Sequence, residues 1–157
     1  MKRHLIFRYA HWLLPAALLC SVVGCDDGDS SSAGSDVVDC DRIDAPPVGQ
    51  TGQNIPEARS CSRFLIFIPE QYASQVSWPL IVFLHGSGER GTDLNAIKKH
   101  GLPKWVDRNP RLPFIVVSPQ LADSDFDWLP ADVVALVDAV ACRYAVDPRR
   151  IYLTGLS

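Results

Sequence analysis

Three runs of β-branched, aromatic and leucine residues, each bounded by proline or glycine, limit what this chain can fold into: 63–69 (RFLIFIP), 79–86 (PLIVFLHG) and 114–119 (FIVVSP). Their length and composition are those of strands. The second is apolar throughout, which implies cover on both faces of the sheet. A fourth short run, 151–154, follows the break Asp147-Pro148. Between the third and fourth runs Val133, Val134, Val137, Val140, Ala141 and Tyr144 recur with helical spacing, Pro130 stands near the first turn, and Asp132, Asp138 and Arg143 fall off the stripe. Residues 93–107 predict a second, irregular helix capped by Thr92 or Asp93, with Pro103 close to a kink. Residues 36–56 are polar, rich in Pro and Gly and without either period, and predict coil. Strand, loop, helix, strand, helix, strand is the order of an α/β fold, a mostly parallel sheet with helical crossovers.

The first 24 residues stand apart from this domain. Lys2, Arg3 and Arg8 precede an apolar run at 12–23, too short for a spanning helix of about 20 residues and suited to the core of an export signal. Val22-Val23-Gly24-Cys25 resembles the bacterial lipobox, which implies a lipoprotein signal peptide over 1–24 and lipidation of Cys25; an ordinary cleaved signal or an uncleaved anchor is the alternative. The acidic, Ser/Gly-rich stretch after Cys25 cannot bury enough apolar surface to fold, so 25–56 is expected to be the lipidated cysteine, a disordered tether and coil. The expected location is export, with the domain held by its lipid on a bacterial membrane, on the periplasmic or cell-surface side.

Taking Lys2, Arg3 and Arg8 away with the leader leaves 12 basic residues against 18 acidic ones, a formal charge of −6. That balance argues against a nucleic-acid partner. In an oxidising compartment Cys40 and Cys61 are candidates for a disulfide pinning the N-terminal segment to the first strand; the alternative is that Cys40, Cys61 and Cys142 are all free. No C-x-x-C or His pair at helical spacing is present, so neither a metal site nor a cofactor is expected.

In open parallel sheets, sites form where strands end at their carboxyl edge. Three such ends carry unusual sequences here: HGSGERG after the second run, SPQ after the third and GLS after the fourth. Gly86, Gly88 and Gly91 let the backbone aim N–H groups at one point, as an oxyanion needs, although a plain Gly-rich turn or a phosphate loop would use the same residues. The lysine and spacing of a nucleotide-binding P-loop are missing.

PLIVFLHGSGERGTDL, FIVVSPQ and VDPRRIYLTGLS, in this order and at this spacing, resemble the esterase branch of the α/β-hydrolase superfamily: phospholipase/carboxylesterase, polyhydroxybutyrate-depolymerase-like and "predicted peptidase" proteins. The resemblance covers about residues 60 to 157. It implies Ser157 as nucleophile, Gly86 and Ser87 as the oxyanion loop, and a small-molecule or polymer ester as substrate. It also implies that the hydrolase domain begins near residue 57, that 57–157 is its N-terminal half in a truncated α/β-hydrolase fold, and that acid and base lie beyond Ser157, so that 157 residues alone are inactive. The triad order is Ser, then Asp or Glu, then His, which makes His85 a structural histidine and His100 a solvated one. Glu89 and Arg90 form a local pair or face water; Trp128 walls the pocket or merely packs. The competing expectation is a non-catalytic lipoprotein with a hydrolase-derived binding domain, or the product of a decayed gene.

Overall fold

The structure is a computed structural model that describes residues 41–125 and 127–156. The expected leader, Cys25, Cys40 and Ser157 lie outside the described residues. Five strands, β1 (Gly49–Asn54), β2 (Arg63–Ile68), β3 (Trp78–Leu84), β4 (Ile115–Pro119) and β5 (Val146–Gly155), form one sheet in the order β1-β2-β4-β3-β5. β3 pairs in parallel with β4 and β5, while β2 is antiparallel to both β1 and β4. Four strands therefore point one way and β2 the other. This is the expected α/β fold with a mostly parallel sheet.

The apolar runs are covered on both faces. Phe64, Ile66 and Ile68 of β2, Trp78, Leu80 and Val82 of β3 and Ile115 and Val117 of β4 face a core closed by α2 (Pro130–Arg143). Phe67, Ile81 and Val116, one residue out of phase, face a smaller core under α1 (Gly101–Val106). Side chains alternate between two apolar cores, which is why these strands read as unbroken hydrophobic runs.

Three expectations are corrected. Coil over 36–56 fails at 49–54: β1 pairs along its whole length with β2, from Gly49 opposite Ile68 to Asn54 opposite Arg63. Its sequence, GQTGQN, has no apolar face, because an edge strand can be held by its ladder alone. The helix expected over 93–107 is two pieces, a 3-10 turn at Ala96–Lys99 and then α1. They break at Gly101, which has φ +62° and sits so close to Phe83 that a Cβ would lie 2.1 Å from the ring. The buried stripe of α2 is rotated: Val134 is 57% exposed, whereas Leu136 is fully buried and Asp132 is buried too. Asp132 faces inward because the 3-10 turn Pro56–Cys61 offers it partners, the N–H of Ser60 at 3.2 Å and the Ser60 hydroxyl, both donating to Oδ2.

The proposed Cys40–Cys61 disulfide is also overturned. Cys61 is a free thiol, fully buried in the core beneath α2. Cys142 is disulfide-bonded. The Cys61 sulfur packs in the core and meets the Ser60 hydroxyl at 3.9 Å.

β5 is longer than the expected 151–154, and its regular part, 151–155, exceeds that span by one residue. Trp78 lies opposite Val146, the register then shifts, and from Leu80 opposite Ile151 it runs without interruption to Leu84 opposite Gly155. Asp147 shapes the irregular stretch, its carboxylate accepting the Arg149 N–H at 3.0 Å and Arg150 Nε at 2.8 Å.

Candidate functional site

β3 and β5 run in parallel and end side by side, so His85-Gly86-Ser87 and Gly155-Leu156 leave the sheet at the same edge. Leu156 donates its N–H to the Leu84 carbonyl at 2.9 Å. That close approach requires glycine at 155, where a Cβ would stand 2.6 Å from the Leu84 oxygen. The glycine of the GLS motif is thus demanded by packing as well as by any turn that follows it.

After β3 the chain makes a 3-10 turn, Ser87–Glu89, closed at both ends by the same two residues. The Gly86 N–H donates to Glu89 Oε2 at 2.8 Å, and the Glu89 N–H donates to the Gly86 carbonyl at 3.2 Å. Glu89 is buried, turned inward rather than out to water. Gln120, in the SPQ segment after β4, ties the loop down from the other side, its Nε2 donating to the carbonyls of Glu89 at 3.2 Å and Asp93 at 2.7 Å. Ser87 itself is exposed, and its N–H meets no acceptor among the described residues.

His85 is fixed beneath this loop. The Leu121 N–H donates to Nε2 at 3.0 Å, so Nδ1 carries the hydrogen and donates it to the Gly86 carbonyl at 2.7 Å. Trp128 stands edge-on to the ring, centroids 4.8 Å apart. Burial holds the His85 pKa below its ordinary 6.5, against an opposing contribution from the Gly86 carbonyl. A neutral imidazole with both nitrogens engaged holds a loop and takes no proton. Trp128, which the sequence left between pocket wall and packing, packs on that imidazole.

A cavity of about 490 Å³ opens in front of the loop, with Gly86, Ser87, Glu89, His100 and Leu156 in its wall. His100 is exposed, yet its Nε2 comes within 3.8 Å of Glu89 Oε1. Sequence reasoning singled out Glu89 as holding the loop through Arg90 but missed its bond to the Gly86 N–H, and it missed His100 as a wall residue. The available signal was the three-residue spacing of Gly86 and Glu89, that of a capping box. Gly86 and Ser87 come together with Leu156 as the motif order suggests, and Ser157 lies outside the described residues.

No family model matches the chain, and no curated protein matches it. One solved structure similar to it is a thermostable esterase. The two share 25% sequence identity with a TM-score of 0.46, over 69% of this chain and 34% of the esterase chain. The chain spans about a third of that esterase's length. Among the described residues no group of three or more His, Cys, Asp or Glu side chains is placed to hold a metal ion.

Proposed function

We propose that this chain carries the nucleophile and oxyanion half of a serine ester hydrolase, exported and anchored through lipid on Cys25. Ser157 attacks the ester carbonyl, and the Ser87 N–H donates to the oxyanion that develops. The observation supporting this is one juxtaposition: Leu156, the residue joined to Ser157, lines the same cavity as exposed Ser87, whose N–H is unclaimed among the described residues. Transfer of the serine proton needs a base. His85 is excluded by its two hydrogen bonds, and the resemblance puts acid and base outside the described residues; His100, exposed in the same cavity wall 3.8 Å from Glu89, is the rival base, and Ser157-dependent turnover by residues 1–157 alone would assign it that role.

The test uses protein expressed from its native gene. Hydrolysis of p-nitrophenyl acetate is expected to fall by at least about a thousandfold in Ser157→Ala. Hydrolysis unchanged by that substitution, or none in the native gene product, overturns the assignment. Labelled palmitate should enter the protein in a bacterial host and be lost in Cys25→Ser, and unchanged labelling in that variant refutes the anchor.

A further inference from the structure

A second feature lies away from this cavity, where the chain leaves α1 and enters β4. The stretch from Lys98 to Arg111 holds Lys98, Lys99, Lys104, Arg108 and Arg111 against a single acidic residue, Asp107, in a chain whose formal charge is −3. Asp107 is already engaged, by Lys98 Nζ at 3.9 Å and Gln50 Nε2 at 2.8 Å. Lys104, Trp105, Arg108 and Arg111 are all exposed, and the indole of Trp105 is among the large apolar groups left to solvent, at 48%. Trp105, Arg108, Asn109, Pro110, Arg111 and Leu112 surround a shallow depression of about 390 Å³. Besides Lys98, Arg111 has a carboxylate partner, its Nε lying 3.3 Å from Glu70, and that pair is itself exposed. Lys104 and Arg108 form no ion pair among the described residues.

An indole beside several lysines and arginines is the chemistry of a membrane interface: the ring settles at headgroup depth and the cations meet phosphates. We propose that Lys104, Trp105, Arg108 and Arg111 form a docking face for the anionic headgroups of a phospholipid bilayer. The charge of the patch opposes that of the chain as a whole, so the molecule is electrostatically oriented, this corner toward the anionic surface and the rest away from it. A nucleic acid would also meet the cations, but base stacking along a strand needs successive rings, and this face offers one.

The face has a consequence for the candidate site. It lies at the start of β4, and because β4 is parallel to β3 it belongs to the edge opposite the loop that follows β3. Docking here leaves the cavity at Ser87 and Leu156 open to water. That consequence depends on the proposed function; the docking face itself does not, nor does it require lipid on Cys25.

Full-length protein is to be reconstituted in vesicles of brominated phosphatidylcholine, with or without phosphatidylglycerol. Trp105 emission is taken as the difference between the wild-type chain and Trp105→Phe, which removes the contributions of the other tryptophans and of the leader. The emission is expected to be quenched by the lipid bromines only in the anionic vesicles and to recover at about 1 M salt, where screening is nearly complete. Each cation near an anionic surface contributes roughly fivefold in partitioning, so Lys104→Glu with Arg108→Glu should weaken the quenched state by at least about tenfold. Both sites are exposed, so an unchanged melting temperature is expected alongside. Quenching that is equal in neutral and anionic vesicles overturns the proposal, as does a Trp105 reached only by aqueous iodide. Tighter binding of the patch to a single-stranded oligonucleotide than to anionic vesicles at the same salt overturns it as well.

Discussion

Glu89 accounts for much of the loop's shape with one carboxylate oxygen. Gly86 is buried, so its N–H has no water to turn to, and Glu89 supplies a charge-assisted acceptor. Removing that acceptor strands a buried donor, so Glu89→Ala is expected to cost about 1.5–3 kcal/mol, whereas Glu89→Gln keeps a carbonyl in place and should cost less than about 1 kcal/mol. Urea unfolding separates them, and equal losses would show that the clasp is not what holds the loop. Two other residues contribute to the pH dependence of stability. The pKa of His85 is depressed in the fold, so below about 6.5 the unfolded chain binds a proton that the folded chain refuses; stability is fully present above that value and declines as pH falls. Burial pushes the Cys61 thiol from 9.0 up to about 11, with the Ser60 hydrogen bond opposing, so its contribution is present below pH 9.0 and is lost as pH rises through about 11. A plateau between these limits is expected in unfolding midpoints. Cys61→Ala should reduce the alkaline arm, to which Tyr144, its hydroxyl also pushed up by burial, still contributes, and leave the acid arm in place.

At the scale of elements, legibility followed the number of apolar contacts each element makes. β2, β3 and β4 fill two cores, so their burial is written into consecutive residues; β2 and β4 lie within the runs that the sequence marks, and β3 begins one residue earlier, at Trp78. β1 makes its case in backbone hydrogen bonds, which leave no trace in side-chain pattern. For α2 the sequence shows that a helix exists but not which way it faces, because Val133, Val134 and Leu136 are interchangeable in a periodicity argument until Ser60 appears opposite Asp132. The rotated face is measurable. Leu136→Ala removes a fully buried side chain and should cost about 2–5 kcal/mol, while Val134→Ala, at an exposed position, should stay within about 0.5 kcal/mol of the wild type. Comparable costs at the two positions would favour the stripe drawn from spacing. The candidate site follows the same rule: its glycine and serine letters are visible, but Glu89 and Gln120 act through particular oxygens and nitrogens across the gap between two loops.

The molecule as a whole is asymmetric about its sheet. At one end β1 is short, polar and half-exposed, a strand with little to attract a partner. At the other end β5 pairs with β3 on one side only among the described residues, and it carries apolar side chains to the surface: Leu153 is 39% exposed, Leu156 is 42% exposed, and Ile151 and Tyr152 are half-buried. An open ladder flanked by aliphatic and aromatic side chains is a template for a further strand. Net stability of a domain is only about 5–15 kcal/mol, so an edge that gains backbone pairing and apolar burial by meeting another chain shifts the balance readily toward association. Residues 36–157 are therefore expected to self-associate in a concentration-dependent manner when expressed on their own, as read by light scattering on a sizing column. Placing a charge on the edge should oppose this, so Leu153→Lys is expected to lower the associated fraction without loss of secondary structure. Hydrogen exchange gives the independent measure: a monomer in which the amides from Ile151 to Thr154 are as strongly protected as those of β4 would show that the edge is already closed and that the expectation is wrong.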